Sequence, residues 1–272
     1  MVISLKWEYL PTCSFDFNMA RYALCLSYDG SDYHGWQRQE IARTVQEELE
    51  KVLSTILREP ITLHAAGRTD TGVHAMGQVA HFDSLQEHLD YGRVILSTRA
   101  LLPKDVVIRD ITRVSDTFHA RFDAQWRQYR YQIIAKPDPF SRDFAWVVYP
   151  WPSEQILHEC ALQLSGEMDF RAFCKADSAL DENHCTIYRA EWDFSVTGKA
   201  IFTIRANRFL HHMVRGIVGT MIRASKQGSS DYFRQVLASQ VRNEAVLTAT
   251  ARGLFLEAVG YPNDLFQEIS QS

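Results

Sequence analysis

Between Arg21 and Tyr28 the β-forming residues Tyr22, Leu24, Leu26 and Tyr28 occupy every second position, the period of a strand with one buried face. After a polar loop to Arg43 the period changes. Val45, Leu49, Val52, Leu53, Ile56 and Leu57 share one helical face, Thr44 and Glu47 stand at capping-box spacing, and Pro60 closes the run, so a helix is predicted to about Arg58. Strand patterns return at 61–66 and 76–83, followed by a helical stretch around 85–101 and a strand through Val106, Ile108 and Ile111. The predicted order is β-α-β-β-α-β, the split ferredoxin-like unit.

The rest of the chain repeats that order. Trp126 to Ile134 reads as a strand, and Ser153 to Leu164 as a helix with Ile156, Leu157, Cys160, Ala161 and Leu164 inward. Thr186 to Phe194 and Ala200 to Ala206 form a hairpin around Thr197-Gly198. Leu210, Met213, Val214, Ile217, Val218, Met221 and Ile222 mark an amphipathic helix beginning near Phe209; a short helix near 230–238 and a strand from Leu254 to Val259 close the chain. The expected fold class is therefore α+β, built from two ferredoxin-like, or RRM-like, halves at 19–115 and 116–264.

Composition permits such a fold: 272 residues with 46% hydrophobic content can bury one large core or two modest ones. The net charge of −4 does not point to a polyanionic partner, but its distribution does. Residues 205–223 hold four arginines and no acid, and 117–136 hold three arginines and one lysine against Asp123 alone, with aromatic residues interleaved in both, a pattern that favours RNA contact. The five cysteines, Cys13, Cys25, Cys160, Cys174 and Cys185, form no C-x-x-C pair, so neither a disulfide framework nor a zinc site is expected. The opening residues lack the basic-then-apolar form of a signal peptide and no span is apolar enough for a bilayer, so no membrane association and a reduced, cytoplasmic setting are expected. No G-x-G-x-x-G or P-loop motif calls for a nucleotide cofactor.

The chemistry concentrates between Ala65 and Asp83. Gly67 to Gly77 is expected to cross, exposed, between two strands, with glycines where the backbone must turn. Asp70 sits in this loop with Arg68 two residues before it and His74 four after it, a setting for a nucleophile or general base as well as for a plain turn aspartate. The string GRTDTGVHAMGQVAHF resembles the signature of the tRNA pseudouridine synthases of the TruA family. YDGSDYHGWQRQ from Tyr28, FHARFDAQWRQYRY from Phe118, RANRFLHHMVRGIVG from Arg205 and GLFLEAVGYP from Gly253 agree with it, and Thr71 departs where the family more often has Ala. The matched pattern begins at Arg21, leaving residues 1–18 as an N-terminal extension with both Met1 and Met19 open as starts.

The resemblance implies isomerisation of uridine to pseudouridine in the tRNA anticodon stem-loop, at tRNA positions 38 to 40, by a homodimer. It also implies one continuous antiparallel sheet with helices on one face and a cleft between the halves. Asp70 is then the catalytic nucleophile, attacking either carbon 6 of the base or the ribose carbon 1′. Tyr129 is implied to stack on the target uracil and to remove the carbon 5 proton, Arg215 to pair with Asp70, Arg68 to displace the target nucleotide, and Leu254 to wall the uracil pocket. Arg38, Arg121 and Arg208 are candidates for phosphate contact. His211 and His212, as neighbours on a helix, would face different ways with no acid nearby, so packing or phosphate contact is expected of them and no metal. Two other classes share parts of this pattern. A non-catalytic pair of RRM-like modules should carry an RNP-type aromatic run, which the sequence lacks, and an aspartate-dependent hydrolase would want a second acid, an oxyanion hole or a metal beside its carboxylate.

Overall fold

In the computed structural model residues 19–174, 183–263 and 265–266 are described; the extension at 1–18, with Met1 and Cys13, lies outside them. Among the described residues ten strands form one sheet: β1 (Ala20–Tyr28), β2 (His64–Ala65), β3 (His74–Ser84), β4 (Val106–Arg113), β5 (Trp126–Ile134), β6 (Trp146–Val147), β7 (Gly166–Asp169), β8 (His184–Asp193), β9 (Lys199–Ala206) and β10 (Leu254–Gly260). Five helices accompany it: α1 (Val45–Leu57), α2 (Tyr91–Leu101), α3 (Glu154–Leu162), α4 (Met213–Gln227) and α5 (Asp231–Ser239). The fold is thus α+β around one large, mostly antiparallel sheet.

The strands run in the order β4-β1-β3-β10-β5-β9-β8-β7, with β2 added to β3 and β6 to β5. Strands from the two ends of the chain meet at β3 and β10, which pair in parallel with His74 opposite Phe255 and Ala75 opposite Leu256. Gly77 is what lets them approach: a Cβ there would lie 2.5 Å from the Glu257 carbonyl oxygen. One buried cluster runs across this junction, from Tyr22, Leu24 and Leu49 on one side to Tyr131, Ile217 and Met221 on the other. Among the described residues no helix is long and apolar enough to cross a membrane.

Where the elements differ from the hydrophobic pattern, named hydrogen bonds account for it. Of the expected 61–66 strand only His64–Ala65 is laddered to β3, with Ala66 N–H adding a bond to the Val79 carbonyl at 2.7 Å, because side chains of α1 take the earlier donors: Ile61 N–H goes to Ser54 Oγ at 2.9 Å and Leu63 N–H to Glu50 Oε1 at 2.9 Å. Helix α2 begins at Tyr91 rather than near residue 85, since Asp90 caps it, accepting from Arg93 N at 3.0 Å, while Leu85 N–H bonds Glu59 Oε2 at 2.9 Å. Helix α4 begins at Met213 rather than near Phe209, because His212 is in the left-handed conformation at φ 67° and stops a helix from running through it. The crossing at 67–77 is not exposed throughout: β3 already starts at His74, and Thr69, Val73 and His74 are buried.

His81 on β3 is 2% exposed, and its Nδ1 accepts the Ala120 N–H at 3.1 Å. Burial pushes its pKa down from 6.5 to about 4, helped by His119, Arg21 and His64 and opposed by Asp83. As pH falls from 6.5 to about 4, the unfolded chain binds a proton here that the folded chain refuses, so stability present above 6.5 is progressively lost across that window. Urea unfolding over this range should show a loss of up to ~1.4 kcal/mol per pH unit from this position, and His81→Gln should flatten the dependence.

Candidate active site

Asp70 is carried by a loop whose shape is fixed by the segment after β1. Trp36 N–H donates to the Thr69 carbonyl at 3.0 Å and Gly72 N–H to the Tyr33 carbonyl at 3.3 Å. Gly35 stands at φ +87° with room for no side chain, since a Cβ would be 2.6 Å from the Thr69 carbonyl oxygen. Thr69 turns inward, its hydroxyl 2.8 Å from the buried Tyr28 hydroxyl, whose pKa burial pushes up to about 12. The neighbouring side chain, Asp70, points the other way and is 22% exposed.

The loop is held from beyond the seam as well. His74 stacks on Phe255 with centroids 4.6 Å apart; its Nδ1 accepts the Gly30 N–H at 3.0 Å and its Nε2 donates to the Arg252 carbonyl at 3.1 Å. Asp29 Oδ1, also 3.0 Å from Nδ1, favours a charged ring, but burial is the larger effect and lowers the His74 pKa, so the ring is neutral. Arg127 uses its guanidinium on four backbone carbonyls, those of Ala66, Arg121, Ala124 and Asn207, and so ties the base of the Asp70 loop to the 121–124 turn and to the end of β9.

Helix α4 and the two residues just before it supply the groups that face Asp70. Arg215 Nη1 lies 3.4 Å from Asp70 Oδ2, while its Nε donates to the Ala249 carbonyl at 2.8 Å, which fixes the guanidinium in place. The sequence expectation for His211 and His212 fails here. His212 precedes the helix in a left-handed conformation, so both rings turn to the same carboxylate: His211 Nε2 is 3.1 Å from Oδ1 and His212 Nε2 is 3.4 Å from Oδ2. Burial lowers the His212 pKa, as do His211, Arg215 and Arg242, against Asp70, which raises it.

Tyr129 and Tyr131 share one face of β5, with Arg130 on the other, where its guanidinium lies 4.8 Å over the Phe255 ring. The Tyr129 hydroxyl comes within 4.0 Å of where a Cβ on Gly67 would stand, and its ring meets Phe209 edge-on at 5.0 Å. Burial raises its pKa, with Tyr28 and Asp70 adding to the rise, so the resting side chain is the neutral phenol. Tyr131 is core, donating to the Thr250 carbonyl at 2.8 Å. Leu254 is buried opposite Tyr131, two residue pairs along the ladder from the Leu256–Tyr129 pair. Arg68 and Arg121 are exposed, Arg121 lying over the Phe122 ring at 5.7 Å. Arg38 is paired with the buried Glu50 at 2.9 Å, and the Arg208 N–H bonds Asn207 Oδ1 at 2.8 Å. The basic stripes are only partly solvated faces: Arg127 is spent on carbonyls and Arg205 stacks on Trp126 at 4.1 Å.

The geometry is a carboxylate on a rigid loop, gripped by a fixed arginine and overlooked by a buried tyrosine. A family model described as tRNA pseudouridine synthase matches residues 24–123 and 160–262, which include all of these groups except Tyr129, between the two matched segments. The chain belongs to the tRNA pseudouridine synthase family. It is 40% identical over 251 residues to "tRNA pseudouridine synthase A" of Bacteroides fragilis, covering 92% of this chain and 100% of that one. The protein of the same name from Escherichia coli strain SMS-3-5 is 41% identical over 248 residues, covering 89% and 90%. Within this tRNA pseudouridine synthase fold, sequence reasoning missed the two histidines on Asp70 and the Tyr28–Thr69 pair. The turn that exposes the first is set by a single left-handed residue, for which no glycine marks the position; Tyr28 was legible only as a strand residue.

Thr69→Val keeps the shape but strips a buried partner from the Tyr28 hydroxyl, and should cost about 1–3 kcal/mol of stability in denaturant unfolding. Adding Tyr28→Phe to the same chain should recover most of that loss, since removing both polar partners is nearly neutral.

Proposed function

We propose that this chain isomerises uridine to pseudouridine in the anticodon stem-loop of tRNA, at positions 38 to 40, with Asp70 as nucleophile. The observation that carries the proposal is the Asp70 carboxylate at 3.4 Å from Arg215 Nη1, inside a matched tRNA pseudouridine synthase segment. A target uridine enters against Tyr129, Arg68 takes the place it leaves in the RNA stack, and Leu254 backs the pocket. Attack by Asp70, at carbon 6 of the base or at the ribose carbon 1′, forms a bond to the carboxylate and is accompanied by breaking of the bond between nitrogen 1 and the ribose. The base turns and rejoins the ribose through carbon 5, the bond to Asp70 breaks to free the carboxylate, and carbon 5 gives up its proton while nitrogen 1 gains one. Atoms and electrons balance within the substrate, so no co-reactant is required. Because burial holds Tyr129 as a phenol at rest, it serves first as the stacking platform, and it takes the carbon 5 proton only once a bound substrate has changed its surroundings. Arg38, Arg121 and Arg208 are assigned to phosphates, where they position the RNA without reading sequence.

Each half is proposed to be ferredoxin-like, at 19–115 and 116–264, with helices on one face of the joined sheet and the substrate cleft between the halves. The support is the strand order: the first half reads β4-β1-β3-β2, and the second reads β10-β5-β9-β8, the same fourth-first-third-second arrangement of its principal strands. The active species is proposed to be a cytoplasmic homodimer in which one tRNA touches both copies, since the exposed basic groups of one chain are few beside the length of a tRNA stem.

Asp70→Asn should abolish tritium release from tRNA labelled with [5-³H]uridine while leaving tRNA binding within about twofold of wild type, because phosphate contacts carry the affinity. Substantial release by the purified variant would remove Asp70 from the mechanism. Light scattering at assay concentration should give twice the chain mass; a monomer with full specific activity would rule out the paired arrangement.

A further inference from the structure

The three groups around the head of α4 form more than a hydrogen-bonded cluster. His211 Nε2 and His212 Nε2 stand 3.1 and 3.4 Å from the two Asp70 oxygens, and one ligand atom from each residue lies within 4.8 Å of the others. Ligands at the roughly 2.0–2.1 Å bonds of a tetrahedral zinc ion are about 3.3 Å apart; the His211 Nε2–Asp70 Oδ1 separation of 3.1 Å already matches one such edge, and the His212 ring, held beside Oδ2 with all three ligand atoms inside 4.8 Å, has at most about 1.5 Å to close. We propose that Asp70, His211 and His212 bind a divalent transition ion of the zinc class, with water in the fourth position, and that the ion shuts the site by occupying the carboxylate.

Two features favour this over a chance meeting of side chains. Consecutive residues place their side chains on one target only when the backbone between them is unusual, and His212 supplies that at φ 67°, bringing the two imidazole centroids to 4.2 Å. Arg215 opposes a cation by its charge, yet its Nε is fixed on the Ala249 carbonyl and it touches only Oδ2, so Oδ1 is left to the ion while the guanidinium orients the carboxylate. Two imidazoles and one carboxylate are a donor set that suits zinc and its neighbours rather than magnesium or calcium. The ion is a blocker of the site rather than a participant in isomerisation, which needs the carboxylate free.

The ion-binding half of this proposal depends only on the resting geometry, whereas the blocking half rests on Asp70 being the nucleophile; the experiment separates them. Untagged, RNA-free protein is titrated with Co²⁺, a spectroscopically visible substitute for zinc. One equivalent per chain should bind with the strong visible absorption of a tetrahedral site, and Zn²⁺ should displace it. Loss of an outer partner alone weakens metal sites by about 10–100-fold, so His211→Ala and His212→Ala, each checked for folding by circular dichroism, should weaken binding by more than about a hundredfold. Absence of the tetrahedral band, or a band indifferent to both substitutions, overturns the site. In wild-type protein, tritium release should then fall in step with zinc occupancy and return on chelation; full turnover at saturating zinc overturns the blocking role and leaves the site itself standing.

Discussion

The parallel contact between β3 and β10 is the constraint on which the rest of the molecule depends. It spans two residue pairs, His74–Phe255 and Ala75–Leu256, and it is possible only because Gly77 presents no side chain to the Glu257 carbonyl. From that contact the site follows geometrically. The loop that precedes β3 carries Asp70, the segment that precedes β10 carries Ala249, and Ala249 accepts from the arginine that grips the aspartate. A slip of β10 by one residue would carry Leu254 and Leu256 to the opposite face of the sheet, away from Tyr131 and Tyr129.

Buried polar groups then remove the remaining freedom. Thr69 bonds Tyr28, His74 links Gly30 to Arg252, and Arg127 gathers four carbonyls, so the base of the Asp70 loop is held from both ends of the chain. These contacts are made in the interior, where a missing partner costs more than the bond itself returns. The rigidity of the Asp70 loop therefore comes from groups that, in these bonds, make no contact with the Asp70 carboxylate itself.

Much of this was legible in the sequence because period and chemistry agreed. The alternation through Tyr22, Leu24 and Leu26 and the helical stripe from Val45 to Leu57 both appear where expected, and the Gly-Arg-Thr-Asp loop announces its own importance. The losses are equally physical. Strand pairing at 61–63 gives way to Ser54 and Glu50 because side-chain acceptors compete with a ladder, and periodicity does not record that competition. The two histidines escaped because the residue that turns them toward Asp70 is a histidine in a conformation usually signalled by glycine. The arginine stripes were counted correctly as charge but not as geometry: Arg127 and Arg205 are held in the structure, and only position, not composition, tells them from Arg68 and Arg121.

The last strand also sets the order in which the molecule can come into being. β10 ends at Gly260, and β3 and β5 have no direct pairing with each other without it. During synthesis, both strands and the Asp70 loop emerge from the ribosome long before their shared neighbour does, and the arginine on α4 has no Ala249 to hold until the same late stage. A nascent chain therefore has Asp70 without its Arg215–Ala249 support until β10 has been made, and the centre is complete only once that strand fills the gap between β3 and β5.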